Sequence, residues 1–171
     1  VAETFRDLYA LKVETKWPND VLVDGRKVCG ILSEMKTLGE KVAYAIVGLG
    51  VNANFDADKM FPTELRKTAT SLETLLGRKV VLEELFRVLL EKMDSLYELF
   101  LKDGFNQILE KWKGFASFLS CEVEVLTESE KIEGLTVDVD SDGALVLKLK
   151  DGSLKRIFVG DLSLKIKRKQ A

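Results

Sequence analysis

One long helical pattern in the middle of the chain constrains its fold most. Apolar side chains recur there at intervals of three and four and form one continuous stripe: Leu82, Leu85, Phe86, Leu89, Leu90, Met93, Leu96, Tyr97, Phe100 and Leu101. Acidic and basic residues are mixed on the other face, which favours a helix packed on a sheet over a coiled coil or a membrane-surface helix. Strand-like runs lie on both sides of this helix, so the sequence predicts an α+β fold.

The part before the long helix is predicted to contain a first helix, a set of antiparallel strands and a shorter helix. Residues 1–11 have helical spacing of apolar side chains, and residues 24–25 and 39–40 carry turn signals. The predicted strands are residues 21–23, 27–35 and 42–51, and the shorter helix is residues 71–76. A further short helix, residues 105–112, is predicted directly after the long helix. Gly48 and Gly50 inside a strand indicate a bulge or a close approach of another group to the backbone.

The part after the long helix is predicted to be a small β-module. Two Asp-Gly turns, at residues 142–143 and 151–152, separate short runs that alternate apolar and polar side chains. The five predicted strands are residues 121–127, 132–139, 144–149, 154–159 and 162–166. Five short strands of this spacing indicate a barrel of the SH3-like or OB kind, and we place the domains at residues 1–116 and 117–171.

Composition excludes several classes of function. The 171 residues include 26 Lys and Arg against 28 Asp and Glu, without the basic excess that binding to DNA phosphates requires. The basic run at residues 165–169 is interpreted as solvated. Histidine is absent, which excludes Ser-His-Asp and Cys-His chemistry and histidine-ligated metals, and no metal site is predicted. Cys29 and Cys121 are interpreted as core thiols.

The chain is predicted to be cytoplasmic and to lack a membrane segment, because no apolar run approaches the ~20 residues that span a bilayer. It begins with Val1, and its first methionine is Met35. We therefore expect a segment of a longer protein or a processed chain.

Two motifs could carry chemistry. The first runs Lys16-Trp17-Pro18-Asn19-Asp20 and continues as Arg26-Lys27-Val28-Cys29-Gly30-Ile31-Leu32. Its first half is typical of a turn, and Lys27 is either solvated or offers a positive charge to a carboxylate or phosphate. The second, Gly48-Leu49-Gly50-Val51-Asn52, lacks the third glycine and the helix of a dinucleotide fingerprint. It is either a β-bulge or a strand that admits a flat ligand, with Asn52 on a heterocycle edge.

In this order and spacing, the Lys-Trp-Pro-Asn-Asp, Arg-Lys-x-x-Gly-Ile-Leu and Gly-x-Gly-Val-Asn motifs resemble biotin protein ligase. The long helix and the C-terminal strands, ending Gly160-Asp161-Leu162-Ser163-Leu164, fit the same family. The resemblance covers essentially the whole chain as the C-terminal half of such a ligase. It implies a mixed sheet with helices, similar to class II aminoacyl-tRNA synthetases, followed by an SH3-like barrel.

The resemblance also implies the reaction and the ligands. Biotin and ATP, with Mg²⁺, form biotinyl-5′-adenylate, and the biotinyl group passes to a lysine of a biotin carboxyl carrier protein domain. Lys27 would be the catalytic residue, acting by charge on the biotin carboxylate and the adenylate phosphate. The residues implied to bind biotin are Lys27, Gly30, Ile31, Gly48 and Gly50. Those implied to bind ATP are Asn52, Asn19, Asp20 and Trp17, where Trp17 packs either against the ligand or in the core.

The family's Gly/Arg-rich loop and biotin-contacting strand, which precede the Lys-Trp-Pro-Asn-Asp motif, are not in this sequence, nor is a DNA-binding helix-turn-helix. We therefore expect the isolated chain to be inactive and to need an N-terminal ligase portion, and a homodimer is a further expectation. The alternative is a non-catalytic regulatory module on the same scaffold that works with a partner chain. A lipoate or octanoyl transferase, or an SH3-like reader of peptides or nucleic acid, fits the motifs less well.

Overall fold

The computed structural model describes residues 1–164 and divides into two compact units. The N-terminal unit comprises Val1–Glu14 and Asn19–Asp94, and the C-terminal unit comprises Thr15–Pro18 and the chain from Ser95 onward. The division differs from the predicted boundary at residue 116. Thr15–Pro18 belongs to the C-terminal unit because the Trp17 indole packs in that unit's core.

The N-terminal unit is built on an antiparallel sheet. Its elements are α1 (Ala2–Tyr9), the first half of β1 (Val13–Lys16), β2 (Asp20–Val23), β3 (Arg26–Leu38), β4 (Lys41–Val51), α2 (Ala57–Met60), α3 (Thr63–Arg66), α4 (Leu72–Leu76) and the start of α5 (Leu82–Asp103). The strand order is β1-β2-β3-β4. Both predicted turns are present, and Gly25 and Gly39 have the positive φ angles that such turns demand.

The core of the N-terminal unit lies at one end of its sheet. Its largest fully buried apolar side chains are Phe5, Val23, Val28 and Leu72, each worth about 1.5–3 kcal/mol of burial. The far part of the β3–β4 hairpin, residues 32–47, lies outside this core, and we call it the ribbon. Met35 and Leu38 in the ribbon are 68% and 69% exposed.

Helix α5 is confirmed, but its apolar stripe is only partly buried. Leu85 and Leu89 are buried, whereas Phe86, which lies on the neighbouring face, is 63% exposed. The prediction that the whole stripe faces a core is therefore wrong. None of the helices within residues 1–164 has the length and apolar character needed to cross a membrane.

The C-terminal unit contains the predicted five-stranded module. Its elements after α5 are α6 (Phe105–Lys113), β5 (Glu122–Leu126), β6 (Lys131–Val139), β7 (Leu145–Lys148), β8 (Leu154–Ile157) and β9 (Asp161–Leu164). The sheet order is β8-β7-β6-β5-β9, so β8 and β9 are its edges and pair with no further strand in the described part of the chain. The end of the fifth predicted strand and the basic run at residues 165–169 lie outside the described residues.

Alternate side chains of the C-terminal sheet form its core. The buried side chains include Val123, Val125, Leu145, Leu147 and Leu162, in the alternating pattern that the sequence predicts. The α+β class and the five strands are confirmed, while closure of the sheet into a barrel stays a prediction.

Candidate functional site

The N-terminal unit places the sequence-predicted lysine beside a carboxylate. Lys27 lies near the start of β3 and Asp20 at the start of β2, and the Lys27 Nζ atom is 2.6 Å from Asp20 Oδ1. At this distance the two charged groups form an ion pair. The Lys27 side chain is 43% exposed and that of Asp20 15% exposed, so water partly screens the pair and its contribution to stability is at most about 1 kcal/mol.

A β-bulge turns Lys27 towards this partner. Val21 pairs with Cys29 and Leu22 pairs with Lys27, which leaves Val28 as an extra residue in β3. In a regular strand residues 27 and 30 point to opposite faces, whereas here the Lys27 ammonium lies over Gly30. We call Asp20, Lys27 and Gly30 the Lys27 cluster.

The backbone of Lys27 is held by a segment distant in sequence. Its N–H donates to the Thr68 carbonyl at 2.7 Å, and its carbonyl accepts from the Thr70 N–H at 2.9 Å. Buried backbone groups need such partners, and a bulge removes the ladder partners they would otherwise have. Neither the bulge nor this contact was foreseen from the sequence, because residues 67–70 carry only the polar character of a loop.

Asn52, which follows β4, also forms hydrogen bonds with the segment around Thr70. Its side-chain Nδ2 donates to the Thr70 carbonyl at 2.9 Å, and its backbone N–H donates to the Val28 carbonyl at 2.9 Å. Its carbonyl in turn accepts from the Leu72 N–H. The structure thus gives Asn52 a bracing role beside Lys27, and its predicted contact with adenine stays a prediction.

Three glycines form a bare row on one face of the sheet. Gly30 on β3 pairs with Gly50 on β4. Gly48 lies two residues before Gly50 on β4 and pairs with Leu32. Directly opposed residues and residues two apart share a face, so the row lies on the face that carries the Lys27 ammonium. The register is regular at both β4 glycines and shifts only at Lys36, so the β-bulge interpretation of Gly48 and Gly50 is wrong.

Three further predicted site residues lie elsewhere. Ile31 projects to the sheet face opposite the glycine row. Its backbone N–H donates to the Asn19 carbonyl at 2.9 Å. The Asn19 amide donates to the Ile31 carbonyl at 2.7 Å, which fixes the entry to β2. Trp17 is 3% exposed and its indole N–H donates to the Gly143 carbonyl, which favours the core alternative for this side chain.

Cys29 does not add a nucleophile. It is fully buried beneath the sheet, and this burial raises the pKa of its thiol to about 11. At neutral pH it stays protonated and unreactive. Cys121 is half-buried, and within residues 1–164 no three Cys, Asp or Glu side chains are grouped as metal ligands.

Two separate parts of the chain match known protein families. Residues 3–52 match the Biotin/lipoate A/B protein ligase family, and residues 122–165 match the Biotin protein ligase C terminal domain. The first segment contains the Lys27 cluster and the glycine row, and the second contains strands β5 to β9.

Individual relatives agree with these matches. The bifunctional ligase/repressor BirA of Bacillus spizizenii is 31% identical over 90% of this chain and 47% of its own length. The biotin--[acetyl-CoA-carboxylase] ligase of Paracoccus denitrificans is 32% identical over 81% of this chain and 58% of its own. The structure of biotin protein ligase from Aquifex aeolicus in complex with biotin and ATP has a TM-score of 0.78 and 27% identity, covering 96% of this chain and 66% of that one. The chain spans about half the length of the curated relatives it matches.

Proposed function

We propose, from the matches of residues 3–52 and 122–165 to biotin ligase families, that the chain supplies part of the catalytic domain and the C-terminal domain of a biotin protein ligase. Such a ligase attaches biotin to a carrier protein in an ATP-dependent reaction. In the first step, a carboxylate oxygen of biotin bonds to the α-phosphorus of ATP, and pyrophosphate leaves. In the second step, a lysine amine of a biotin carboxyl carrier protein domain attacks the acyl carbon of biotinyl-5′-AMP. AMP leaves with the bonding electrons, and the amine loses a proton to solvent.

The observation that carries this proposal is one sheet face that holds both an ammonium and a row of glycines. An ammonium beside the reacting atoms stabilises the negative charge that builds up as a carboxylate approaches a phosphate. The bare backbone at Gly30, Gly48 and Gly50 leaves room for a flat ligand next to that charge. Asp20 holds the Lys27 ammonium at this face.

ATP is assigned to the same region. Asn52 and Asp20 flank Lys27, and Asn19 fixes the strand that carries Asp20. Mg²⁺ prefers carboxylate and phosphate oxygens, so Asp20 is the residue of the Lys27 cluster that would hold a magnesium ion brought by ATP. When bound, the ion would neutralise phosphate charge. Trp17 is not needed for this role, since it serves the core of the C-terminal unit.

We further propose that this chain works together with an N-terminal ligase portion. The relatives it matches are about twice as long as the segment it covers. The ribbon exposes Ile46 and Val47, which are neighbours on β4 and therefore point to opposite faces. Phe86 on α5 is exposed as well. Exposed apolar surface of this extent is typical of interaction sites. A cytoplasmic location and a homodimer remain parts of the proposal.

The test is pyrophosphate release from labelled ATP by the full-length gene product that contains this chain, with biotin and with lipoate. Lys27→Ala should lower the biotin-dependent rate by about 10²–10³-fold, the range for loss of one preorganised electrostatic contact. Lys79→Ala, which removes an exposed lysine of the same unit outside the ribbon and the Lys27 cluster, should leave the rate unchanged.

A normal rate in the Lys27→Ala protein would contradict the proposed role of this residue. Tight binding of biotin and ATP by the wild-type protein without pyrophosphate release would instead favour the non-catalytic regulatory module. A rate that depends on lipoate rather than biotin would reassign the substrate.

A further inference from the structure

We infer that Gly30 is a positioning residue for Lys27, because the absence of a β-carbon at this position creates the space in which the Lys27 ammonium meets Asp20. The catalytic consequence rests on the proposed function, whereas the geometric claim does not. The resemblance to the family suggested a different role for Gly30, namely a backbone floor beneath biotin.

The distances single out this glycine. A β-carbon placed on Gly30 would lie 2.8 Å from Lys27 Nζ, 2.9 Å from Lys27 Cε and 3.7 Å from Asp20 Oδ1. The first two distances are shorter than van der Waals contact allows, so the ammonium and a side chain at residue 30 exclude each other.

The two other glycines of the row do not share this property. A β-carbon on Gly48 would lie 3.5 Å from the Leu32 carbonyl oxygen, and one on Gly50 would lie 3.6 Å from the Gly30 carbonyl oxygen. Both are ordinary contacts. Gly48→Ala is therefore a matched control that adds the same methyl group to the same face without touching Lys27.

Backbone strain does not account for glycine at residue 30. The glycines with positive φ are Gly25, Gly39, Gly77, Gly104, Gly143 and Gly152, and Gly30 is not among them. It lies in regular pairing with Asp20 on one side and Gly50 on the other, where an L-residue fits the backbone.

The clash falls on the flexible end of a half-exposed side chain rather than on the backbone. In a Gly30→Ala protein the Lys27 ammonium can swing into solvent, since its stem has four rotatable carbons. We therefore expect the variant to fold, with a melting temperature within about 4 °C of wild type, while the ion pair with Asp20 is lost.

A displaced ammonium should impair the proposed reaction far more than the fold. Misplacement of a catalytic group by about 1 Å can cost about 10²-fold in rate. We expect Gly30→Ala to lower adenylate formation by about 10–10²-fold and Gly48→Ala to leave the Lys27 position unchanged.

The experiment combines a double-mutant cycle with a direct view of the ammonium. Lysine ammonium 1H–15N spectra of the full-length protein are recorded for wild type, Gly30→Ala and Gly48→Ala, with Lys27→Ala assigning the Lys27 signal. The Lys27 signal should move or broaden in Gly30→Ala alone. Pyrophosphate release is measured in parallel, and Gly30→Ala should have no further effect in the Lys27→Ala background.

Each outcome decides a separate point. An unchanged Lys27 signal in Gly30→Ala would overturn the inference. A changed signal in a protein without ligase activity would support the inference while the proposed function fails. If Gly30→Ala does not fold, the double variant with Lys27→Ala decides: recovery of folding supports the clash with Lys27, and failure to recover shows that Gly30 serves another purpose.

Discussion

The ribbon of the N-terminal unit and the sheet of the C-terminal unit are made from the same kinds of residue, but they bury them differently. Leu145 and Leu147 on β7 are fully buried, whereas Leu38, Ile46 and their neighbours in the ribbon are exposed on both faces. The strands of the ribbon pair over their full length without a packed layer beside them. An isolated hairpin is marginally stable in water, so the ribbon strands gain less from burial than the strands of the C-terminal sheet do.

The largest expected effect compares two leucines of opposite burial. Leu145→Ala removes a fully buried side chain and should lower the free energy of unfolding by about 2–5 kcal/mol, because it leaves a cavity. Leu38→Ala removes a side chain that is already in water and should change it by less than about 0.5 kcal/mol. Urea unfolding measures the free energy of unfolding of both variants. An equal decrease in the two variants would show that Leu38 is buried in solution.

The second prediction concerns association through the ribbon. Strand β4 is an edge of its sheet and carries exposed apolar side chains, so the chain should self-associate at high concentration. Ile46→Lys should weaken this association about tenfold or more, the equivalent of losing one buried isoleucine. Sedimentation velocity gives the dissociation constants.

Leu154→Lys is the matched control, since Leu154 is similarly exposed on an edge strand of the C-terminal sheet. A chain that is monomeric at all concentrations, or a control that weakens association as strongly as Ile46→Lys, would contradict a role for the ribbon.

The packed end of the N-terminal unit is held together partly by polar hydrogen bonds, whereas the core of the C-terminal unit is apolar. Asn52→Ala removes the donor to the Thr70 carbonyl and should cost about 1–3 kcal/mol, because a buried acceptor loses its partner. We expect the ATP requirement of the full-length protein to rise more than its biotin requirement. Equal increases would indicate that Asn52 only maintains the strand end.

The smallest effect is electrostatic and lies in the C-terminal unit. The hydrogen bond from Arg156 holds the pKa of Asp140 below its usual value of 3.8. A carboxyl group with a lowered pKa in the folded state stabilises the fold above its usual pKa, and this contribution disappears as the pH falls through the lowered value. Asp140→Asn should therefore flatten the acid limb of the stability profile slightly.

Both tryptophans, Trp17 and Trp112, lie in the C-terminal unit, so their fluorescence reports its acid unfolding. Asp56→Asn in the N-terminal unit is the control, because Asp56 has a similarly lowered pKa owing to Lys59. If the acid unfolding of the C-terminal unit changed in Asp56→Asn but not in Asp140→Asn, Asp140 would not be the carboxyl group that stabilises this unit.

The sequence allowed the strands to be predicted, but not the contacts that bring Lys27, Asp20 and Gly30 together. Alternating side chains and Asp-Gly turns are local signals, and the strands they indicate are present. The bulge at Val28 has no local signal, since it is stabilised by Thr68, Thr70 and Asn52 through contacts that only folding brings together. The motif resemblance marks Gly30 as a site residue, but its closeness to the Lys27 ammonium depends on the bulge and so has no signal in the sequence.

The assignment of Thr15–Pro18 to the C-terminal unit affects how this protein can be dissected. A fragment that starts at Ser95 would contain every strand from β5 to β9 but would leave out Trp17, whose indole fills part of the core beside Leu109 and Phe118. Removing a buried tryptophan costs about 3–5 kcal/mol, a large share of the stability of a domain this small. A cut between domains would therefore yield a weakened module. Grafting this C-terminal domain onto another protein would require two separate pieces of chain.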